Sequence, residues 1–119
     1  PIVLLAAGTG WSFSEVSRRK GDFALAGAAV LLALAGGRIG NVRIVVFGVN
    51  ATAVRLASAE QLVLGQAPGE ALFRQAGLAG AAEVEDPLAD VHASADFRRH
   101  LVSVMVARGL AEALSRARP

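Results

Sequence analysis

The spacing of apolar residues divides the chain into a first half typical of strands and a second half typical of helices. Residues 23–34 are apolar apart from one glycine, and residues 42–49 are rich in β-branched side chains. A glycine-rich stretch at 36–41 joins the two runs, and this arrangement indicates a β-hairpin. Ala and Leu dominate the first run and favour a helix by propensity alone, so the strand assignment depends on the flanking turn and on the strand that follows it.

Two shorter segments accompany the predicted hairpin. Apolar residues at Trp11, Phe13 and Val16 favour extended chain that becomes a short turn or helix before Gly21. Residues 53–56 have the pattern of a short additional strand.

The second half of the chain predicts helices. Ser58 resembles an N-cap for a helix over residues 59–64, and Gly65 ends that helix. Residues 68–70 (Pro-Gly-Glu) begin a second helix. Its apolar positions follow a loose period of 3.6 residues, at Leu72, Phe73, Ala76 and Leu78.

The last helix is the longest, and Ser94 is its predicted N-cap. It spans about residues 95–116 and follows an acidic loop at 83–90. Because strands precede helices along the chain, the predicted fold is α+β, with an antiparallel sheet of three to four strands packed on three helices. The buried side of the last helix is predicted to consist of Phe97, Leu101, Val102, Val104, Met105, Val106 and Leu110.

The amino-acid composition excludes several classes of protein. The chain has 119 residues, of which 54% are hydrophobic and 18% charged, which excludes a disordered segment. It has no cysteine, so disulfides, thiolate metal sites and cysteine nucleophiles are excluded. The net charge is only +2, and arginine supplies all the basic residues except Lys20. Since nucleic-acid binding needs a dense basic stripe, we expect no nucleic-acid partner.

We expect residues 1–119 to form a single domain that is a C-terminal fragment of a longer polypeptide, with residues 1–10 as a leading segment from the preceding domain. The longest apolar run, residues 23–35, is shorter than the roughly 20 residues that a membrane-spanning helix needs. We therefore expect no membrane span. No basic segment precedes the apolar opening as it would in a signal peptide, and the expected location is cytoplasmic.

Candidate catalytic chemistry is sparse. His92 and Asp90 could act as a base and its orienting carboxylate, but a surface cluster before a helix explains them better. Ser94 could be a nucleophile, although helix capping explains it better. A metal site would need His92, Asp90 and Asp96 to converge from a loop and a helix start, which is weak evidence. We assign no catalytic and no metal-binding residue.

Two clusters of basic residues are unusual for their positions along the chain. Arg98 and Arg99 lie in the first turn of the last helix, where cations oppose the helix dipole. Asp96 can offset one of them, and Asp22 or Asp90 the other. Residues 18–20 (Arg-Arg-Lys) are explained either as a solvated turn or as a basic surface that faces an acidic partner outside the fragment.

These same segments resemble a known family. Residues 13–26 (FSEVSRRKGDFALA) are similar to the opening of the C-terminal domain of the FAD-binding, or medium, subunit of molybdenum hydroxylases. That family includes aerobic carbon monoxide dehydrogenase and xanthine dehydrogenase. Residues 90–101 (DVHASADFRRHL) resemble the second signature of the same domain. Residues 54–56 and 59–60 fall where the family has its third strand and the helix after it, so the likeness extends from about residue 10 to residue 113.

The resemblance implies that the chain belongs to a subunit that takes part in electron transfer. In the family, a large subunit hydroxylates substrate at a molybdopterin centre, and a small subunit with iron–sulfur clusters passes electrons to FAD in the medium subunit. The expected partners are therefore a large molybdopterin subunit and a small iron–sulfur subunit. Domains N-terminal to this one make most FAD contacts in the family. Whether the fragment forms a homodimer stays open.

The resemblance also implies roles for individual residues. Phe13 occupies an aromatic position close to the flavin, with Ser14 beside it, although an aromatic at this position is also explained as core. Some relatives carry a lysine next to the aromatic, where Ser14 and Glu15 stand here, so a cationic contact to the flavin is not transferred. Arg18 and Arg19 match a basic pair expected at a domain or subunit interface.

The second basic pair is expected to be structural. Arg98 and Arg99 brace the helix start, and their guanidinium groups suit carboxylates such as Asp22 or Asp90.

Two other functions remain as alternatives to the flavoprotein domain. One is a non-catalytic interaction domain with the same fold, and the weaker one is an arginine-rich nucleic-acid module. A glycine-rich FAD-pyrophosphate loop upstream of residue 1 would support the flavoprotein domain, and its absence would favour the interaction domain.

Overall fold

A computed structural model of the chain describes residues 8–16, 26–49, 53–84 and 94–118. Strands precede helices in these ranges, and the predicted α+β architecture is confirmed. The elements are β1 (Gly10–Val16), β2 (Ala26–Ala35), β3 (Arg38–Phe47), β4 (Val54–Arg55), α1 (Ala57–Val63), α2 (Glu70–Glu83) and α3 (Ala95–Arg116).

The four strands form one antiparallel sheet in the order β1-β2-β3-β4. The predicted hairpin is confirmed as β2 and β3, but its turn is shorter than the predicted stretch at 36–41. Only Gly36 and Gly37 lie between the strands, and both have positive φ angles, 59° and 78°, as the turn of a tight hairpin requires. Arg38 and Ile39 already pair with β2, since Ala35 and Leu34 lie opposite them.

The two outer strands were only partly predicted. The segment from residue 11 is extended as far as Val16, and the turn or helix expected after it falls mostly on residues 17–20, outside the described ranges. The strand predicted at 53–56 is confirmed, but only Val54 and Arg55 pair with β3. Leu56 already serves as the N-cap of α1.

One face of the sheet is buried under the helices. Side chains alternate across a strand, so every second residue of β2 and β3 points to the same side. The residues on the inner side are fully or almost fully buried, and α3 packs against both β1 and β2 there. These inner residues are Ala26, Ala28, Val30 and Leu32 on β2, and Val42, Ile44 and Val46 on β3.

The helices confirm most predicted boundaries but not the role of Ser58. α1 begins at Ala57, its N-cap is Leu56, and no side chain caps it. The helix starts directly after the strand because Leu56 is buried and donates its N–H to the Ile44 carbonyl at 2.8 Å. Ser58 therefore lies inside the first turn, where its N–H donates to Glu83 Oε2 at 3.0 Å.

The buried stripe of α3 differs from the predicted one. Phe97 is 46% exposed, and Leu101 and Val104 are only half-buried. Val102, Met105, Val106 and Leu110 are buried as predicted, and the other predicted positions are replaced in the stripe by Arg98, Gly109 and Ala113. The prediction was wrong for Phe97, Leu101 and Val104 because apolar residues cover more of α3 than the core needs, so their period alone does not set the exact orientation of the helix. The buried residues are Arg98, Val102, Met105, Val106, Gly109, Leu110 and Ala113.

The apolar run at residues 23–35 contains β2 rather than a helix. None of the helices in the described part of the chain is long and apolar enough to cross a membrane.

Candidate functional site

The strand β1 places two aromatic rings on the face of the sheet opposite the helices. Ser12 is buried, while Trp11 is 49% and Phe13 57% exposed. The alternation of side chains along a strand sets this arrangement, because odd-numbered residues of β1 point away from the helices.

The pairing register extends this exposed surface across the sheet. Antiparallel residues that lie opposite each other point to the same face. An antiparallel sheet with one open face usually carries polar residues there, but here the open face is mostly apolar. We call this surface the outer sheet face. Its three rows, from β1 through β2 to β3, are Trp11, Leu31 and Arg43, then Phe13, Ala29 and Val45, then Glu15, Gly27 and Phe47.

An aromatic pair occupies the middle of the outer sheet face. The rings of Phe13 and Phe47 stack with their centroids 5.3 Å apart and an interplanar angle of 21°. The two rings come from strands that do not pair, so they meet across β2. Gly27 makes this contact possible, because a Cβ atom at that position would overlap the Phe47 ring.

Trp11 is held in place by the last turn of α3. The Arg116 guanidinium carbon lies 4.2 Å from the centroid of the indole, a cation–π geometry. Arg116 also donates from Nη1 to the Trp11 carbonyl at 2.7 Å and pairs through Nη2 with Glu112 at 2.7 Å. These contacts fix one end of the outer sheet face to the helical layer.

Ser14, the second residue expected near the flavin, lies on the other side of the sheet. It pairs with Ala28 on the inner face and is half-buried, whereas Phe13 is exposed on the outer face. A ligand on the outer sheet face would therefore meet Phe13 but not the Ser14 side chain.

The structure describes only part of the predicted interface and structural set. Arg18, Arg19, Asp22 and Asp90 all fall outside the described ranges.

Arg98 and Arg99 lie in the first turns of α3, and both are at least partly buried. Arg98 is 4% exposed. Arg99 donates to the Val84 carbonyl at 3.2 Å and lies 3.6 Å from Asp96, so the expected offset by Asp96 is present.

Of the candidate nucleophile and metal ligands, the structure describes Ser94 and Asp96. Ser94 Oγ accepts a hydrogen bond from the Phe97 N–H at 3.0 Å, so its predicted capping role is confirmed. His92 and Asp90 lie outside the described ranges, and only Asp96 of the three candidate ligands is described. Within the described part of the chain, no group of three or more potential ligands could hold a metal ion.

A buried carboxylate that the sequence analysis did not single out joins α1 to the sheet. Glu60 is 5% exposed and forms a bidentate pair with Arg55, with an Nη2–Oε1 distance of 2.7 Å. Its Oε2 also accepts from the Ile44 N–H at 3.0 Å. Burial raises the pKa of Glu60, but the hydrogen bonds from Arg55 and Ile44 and the charges of Arg55 and Arg43 outweigh it and lower the pKa below its ordinary value.

Of the two site residues that the sequence analysis missed, Phe47 carries a sequence signal and Glu60 does not. Phe47 follows Arg43 and Val45 at every second position of a β-branched strand, which places its ring on the same face. Glu60 follows Arg55 by five residues, across a strand-to-helix junction, and no periodic pattern predicts their contact.

Comparison with known proteins assigns the family. A family model described as the CO dehydrogenase flavoprotein C-terminal domain matches residues 11–113. The chain belongs to this family. The CO dehydrogenase flavoprotein C-terminal domain is the fold and family that residues 13–26 and 90–101 led us to expect, and the resemblance is confirmed.

The relatives of this flavoprotein domain include subunits of dehydrogenases. The chain is 40% identical over 120 residues to the 6-hydroxypseudooxynicotine dehydrogenase complex subunit alpha of Paenarthrobacter nicotinovorans, covering 97% of this chain and 39% of the relative. It is 34% identical to the carbon monoxide dehydrogenase medium chain of Hydrogenophaga pseudoflava, covering 97% and 40%. The chain thus spans about two fifths of the length of these relatives.

Solved structures share the fold of this flavoprotein domain. Carbon monoxide dehydrogenase from Hydrogenophaga pseudoflava, in a form that lacks the Mo-pyranopterin moiety of the molybdenum cofactor, superposes with a TM-score of 0.90 at 36% identity, covering 96% of this chain and 39% of that one. Quinoline 2-oxidoreductase from Pseudomonas putida 86 superposes with a TM-score of 0.83 at 32% identity, covering 90% and 37%.

Proposed function

We propose that this chain is the C-terminal domain of the FAD-binding subunit of a molybdenum hydroxylase-type oxidoreductase, and that its outer sheet face lies against the flavin-binding part of that subunit. The observation that carries the proposal is the exposed Phe13 ring, stacked on Phe47, in a domain of a flavoprotein family.

The outer sheet face suits a flavin ring. Aromatic side chains pack against flat ring systems in offset stacks, and Phe13 offers such a surface in a row with Ala29 and Val45. Phe47 supports the Phe13 ring from beside it, so the ring has a fixed orientation before any ligand arrives. FAD, when bound, supplies the redox chemistry, and the residues of this chain contribute the apolar wall that orients the ring and excludes water.

The rest of the cofactor would be bound elsewhere in the subunit. The described residues contain no glycine-rich loop that opens a helix in the manner of a phosphate cradle. The relatives are about two and a half times longer than this chain, which leaves ample polypeptide for the phosphate and adenine contacts.

The boundary of the outer sheet face supports its use as an interface. Glu15 and Arg43 lie at opposite corners of an apolar centre, and an apolar centre with a polar boundary is typical of surfaces that become buried in an assembly. A monomer rarely leaves such an apolar surface open to water.

The proposed complex includes two partner subunits. In it, a large molybdopterin subunit oxidises the substrate and a small iron–sulfur subunit carries electrons to the flavin, while this domain holds one wall of the flavin site. Arg18 and Arg19 are proposed to lie at an interface within this assembly. The names of the relatives, as medium or alpha subunits of dehydrogenases, support a multi-subunit enzyme.

Replacement of Phe13 tests the proposal in the full-length subunit. We expect Phe13→Ala to shift the flavin absorbance bands or to accelerate flavin loss on gel filtration, because the apolar wall beside the ring is removed. Phe97→Ala is the matched control, since Phe97 is 46% exposed on α3 and belongs to the helical layer.

Unchanged spectra and flavin retention in Phe13→Ala would contradict the proposed contact. A full-length subunit that folds but contains no flavin would favour the rival function, a non-catalytic interaction domain with the same fold.

A further inference from the structure

The helices α2 and α3 leave an apolar groove on the helical layer. They run antiparallel and touch at Gly77 and Ser103, where a Cβ atom on the glycine would overlap the Ser103 carbonyl. Towards the start of α2 and the end of α3 they separate around an open groove of about 490 Å³. We call it the α2–α3 groove. Its lining includes Glu70, Phe73, Arg74, Ala107, Arg108 and Leu114.

A second depression continues the groove along the same helices. It has a volume of about 240 Å³ and shares Arg74, Ala107 and Arg108 with the first. It ends at Leu78, which is 62% exposed. An elongated, open and mostly apolar surface of this kind fits an extended polypeptide segment better than a compact small molecule, which prefers an enclosed site.

The groove carries positive charge over its apolar lining. Arg74 lies 3.4 Å from Glu70, but both side chains are exposed, at 67% and 91%, and such a surface pair is weak. Arg108 is exposed and has no ion-pair or hydrogen-bond partner among the described residues. A carboxylate brought to this groove would therefore meet two arginines whose charge is largely available.

The groove shares no residue with the outer sheet face. It is lined by α2, α3 and the residues that precede α2, whereas the outer sheet face is formed by β1, β2 and β3. A partner in the groove would leave the outer sheet face free for the flavin-binding part of the subunit.

We propose that the α2–α3 groove docks a segment of a partner subunit that inserts an apolar side chain and places an aspartate or glutamate on Arg108 and Arg74. The occupant is inferred from charge complementarity, since the groove combines an apolar lining with the guanidinium groups of Arg108, which has no partner among the described residues, and of Arg74, which is only weakly paired with Glu70. The inference rests on the proposed function, because the partner is a subunit of that oxidoreductase complex.

Carbodiimide coupling in the assembled complex tests this contact. The reagent joins an amine to a carboxylate that touches it. Lys20 is the only lysine of the chain, so Arg108→Lys introduces a new and distinguishable coupling site. We expect a cross-link from position 108 to an aspartate or glutamate of a partner subunit, identified by peptide mass spectrometry.

Arg38→Lys is the matched control, because Arg38 is exposed beside the hairpin turn, far along the chain from the groove. We expect no cross-link from position 38 to a partner. Absence of a cross-link from position 108, or a cross-link only to the same subunit, would overturn the proposal.

Charge reversal provides an independent measurement. We expect Arg108→Glu to raise the dissociation constant of the partner subunit about tenfold, and Arg38→Glu to leave it unchanged. An unchanged dissociation constant in Arg108→Glu would overturn the proposal.

The flavin content of the same samples separates the two proposals. Normal flavin content without the cross-link or the change in affinity contradicts only the docking groove. Absence of flavin from the unmodified subunit contradicts the proposed function, whatever the cross-link shows.

Discussion

At the residue scale, the buried and ionised side chain of Glu60 connects α1 to the sheet. The carboxylate is buried, yet it stays ionised because Arg55 and the Ile44 N–H both bind it. Its pKa in the folded chain lies below the value of an unfolded glutamate. Glu60 therefore stabilises the fold above the unfolded-state pKa, and this contribution is lost as the pH falls through the folded-state pKa.

Glu60→Gln should destabilise the chain at neutral pH and have less effect in acid. The amide keeps the shape and one acceptor for the Ile44 N–H, but it loses the ionic hydrogen bonds to Arg55. We expect a loss of about 1–3 kcal/mol in the free energy of unfolding at about pH 7, measured by urea titration. The difference from the unmodified chain should shrink at about pH 3.

Glu70→Gln is the control for this comparison, because Glu70 is 91% exposed and its pair with Arg74 is long. We expect its effect to stay within about 0.5 kcal/mol at both pH values. A Glu60→Gln effect that is independent of pH would contradict an ionised carboxylate at this junction.

Single residues were predictable from the sequence where their role is local. Ser94 was identified as a cap because its contact with Phe97 spans three residues. Ser58 has the same chemistry but does not cap a helix, because the tertiary burial of Leu56 sets where α1 begins. The pairing of Glu60 with β3 was missed for the same reason, since it depends on how α1 packs.

At the element scale, the contact between α2 and α3 depends on a residue without a side chain. Gly77 lets the backbones of the two helices touch at Ser103. Gly80, one turn further along α2, instead faces the Leu56 and Ala59 side chains, and a Cβ atom there would lie 2.9 Å from Leu56 Cδ1. The backbone at Ser103 cannot move without shifting α3, whereas the end of a leucine side chain can rotate.

Gly77→Ala should therefore destabilise the chain more than Gly80→Ala. In both substitutions, the higher helix propensity of alanine stabilises α2 by about 1 kcal/mol. We expect Gly77→Ala to cost about 1–3 kcal/mol net, because the helices must separate, and this should appear as a lower midpoint of thermal unfolding. Equal effects of the two substitutions would mean that the helices do not pack as closely at Ser103 as the structure shows.

Elements were predicted where local patterns are strong, but the orientation of α3 was predicted only in part. The hairpin followed from a β-branched run and a glycine turn, and both features act locally. The buried side of α3 depends on how the helix sits against the sheet and α2. Phe97 was expected in the core and is exposed, because Arg98 faces inward instead, whereas Val102 is buried as predicted.

At the scale of the whole molecule, the described residues leave two apolar surfaces open. The outer sheet face carries Trp11 and Phe13, and the α2–α3 groove, which Arg108 lines, continues along the helices to the exposed Leu78. The sequence analysis identified Phe13 through its family resemblance, but the stack with Phe47 became visible only with the strand register. The groove was not predicted, because it depends on the packing of two helices.

Hydroxyl-radical footprinting of the intact, flavin-loaded subunit, before partner subunits are added, tests the central claim most directly. Phe13 and Phe97 have the same intrinsic reactivity, and this chain exposes them at 57% and 46%. If the outer sheet face lies against the flavin-binding part of the subunit, Phe13 should be oxidised several times more slowly than Phe97. Oxidation of Phe13 at a rate equal to or above that of Phe97 would show that the outer sheet face is open to water and would contradict its place at the flavin site.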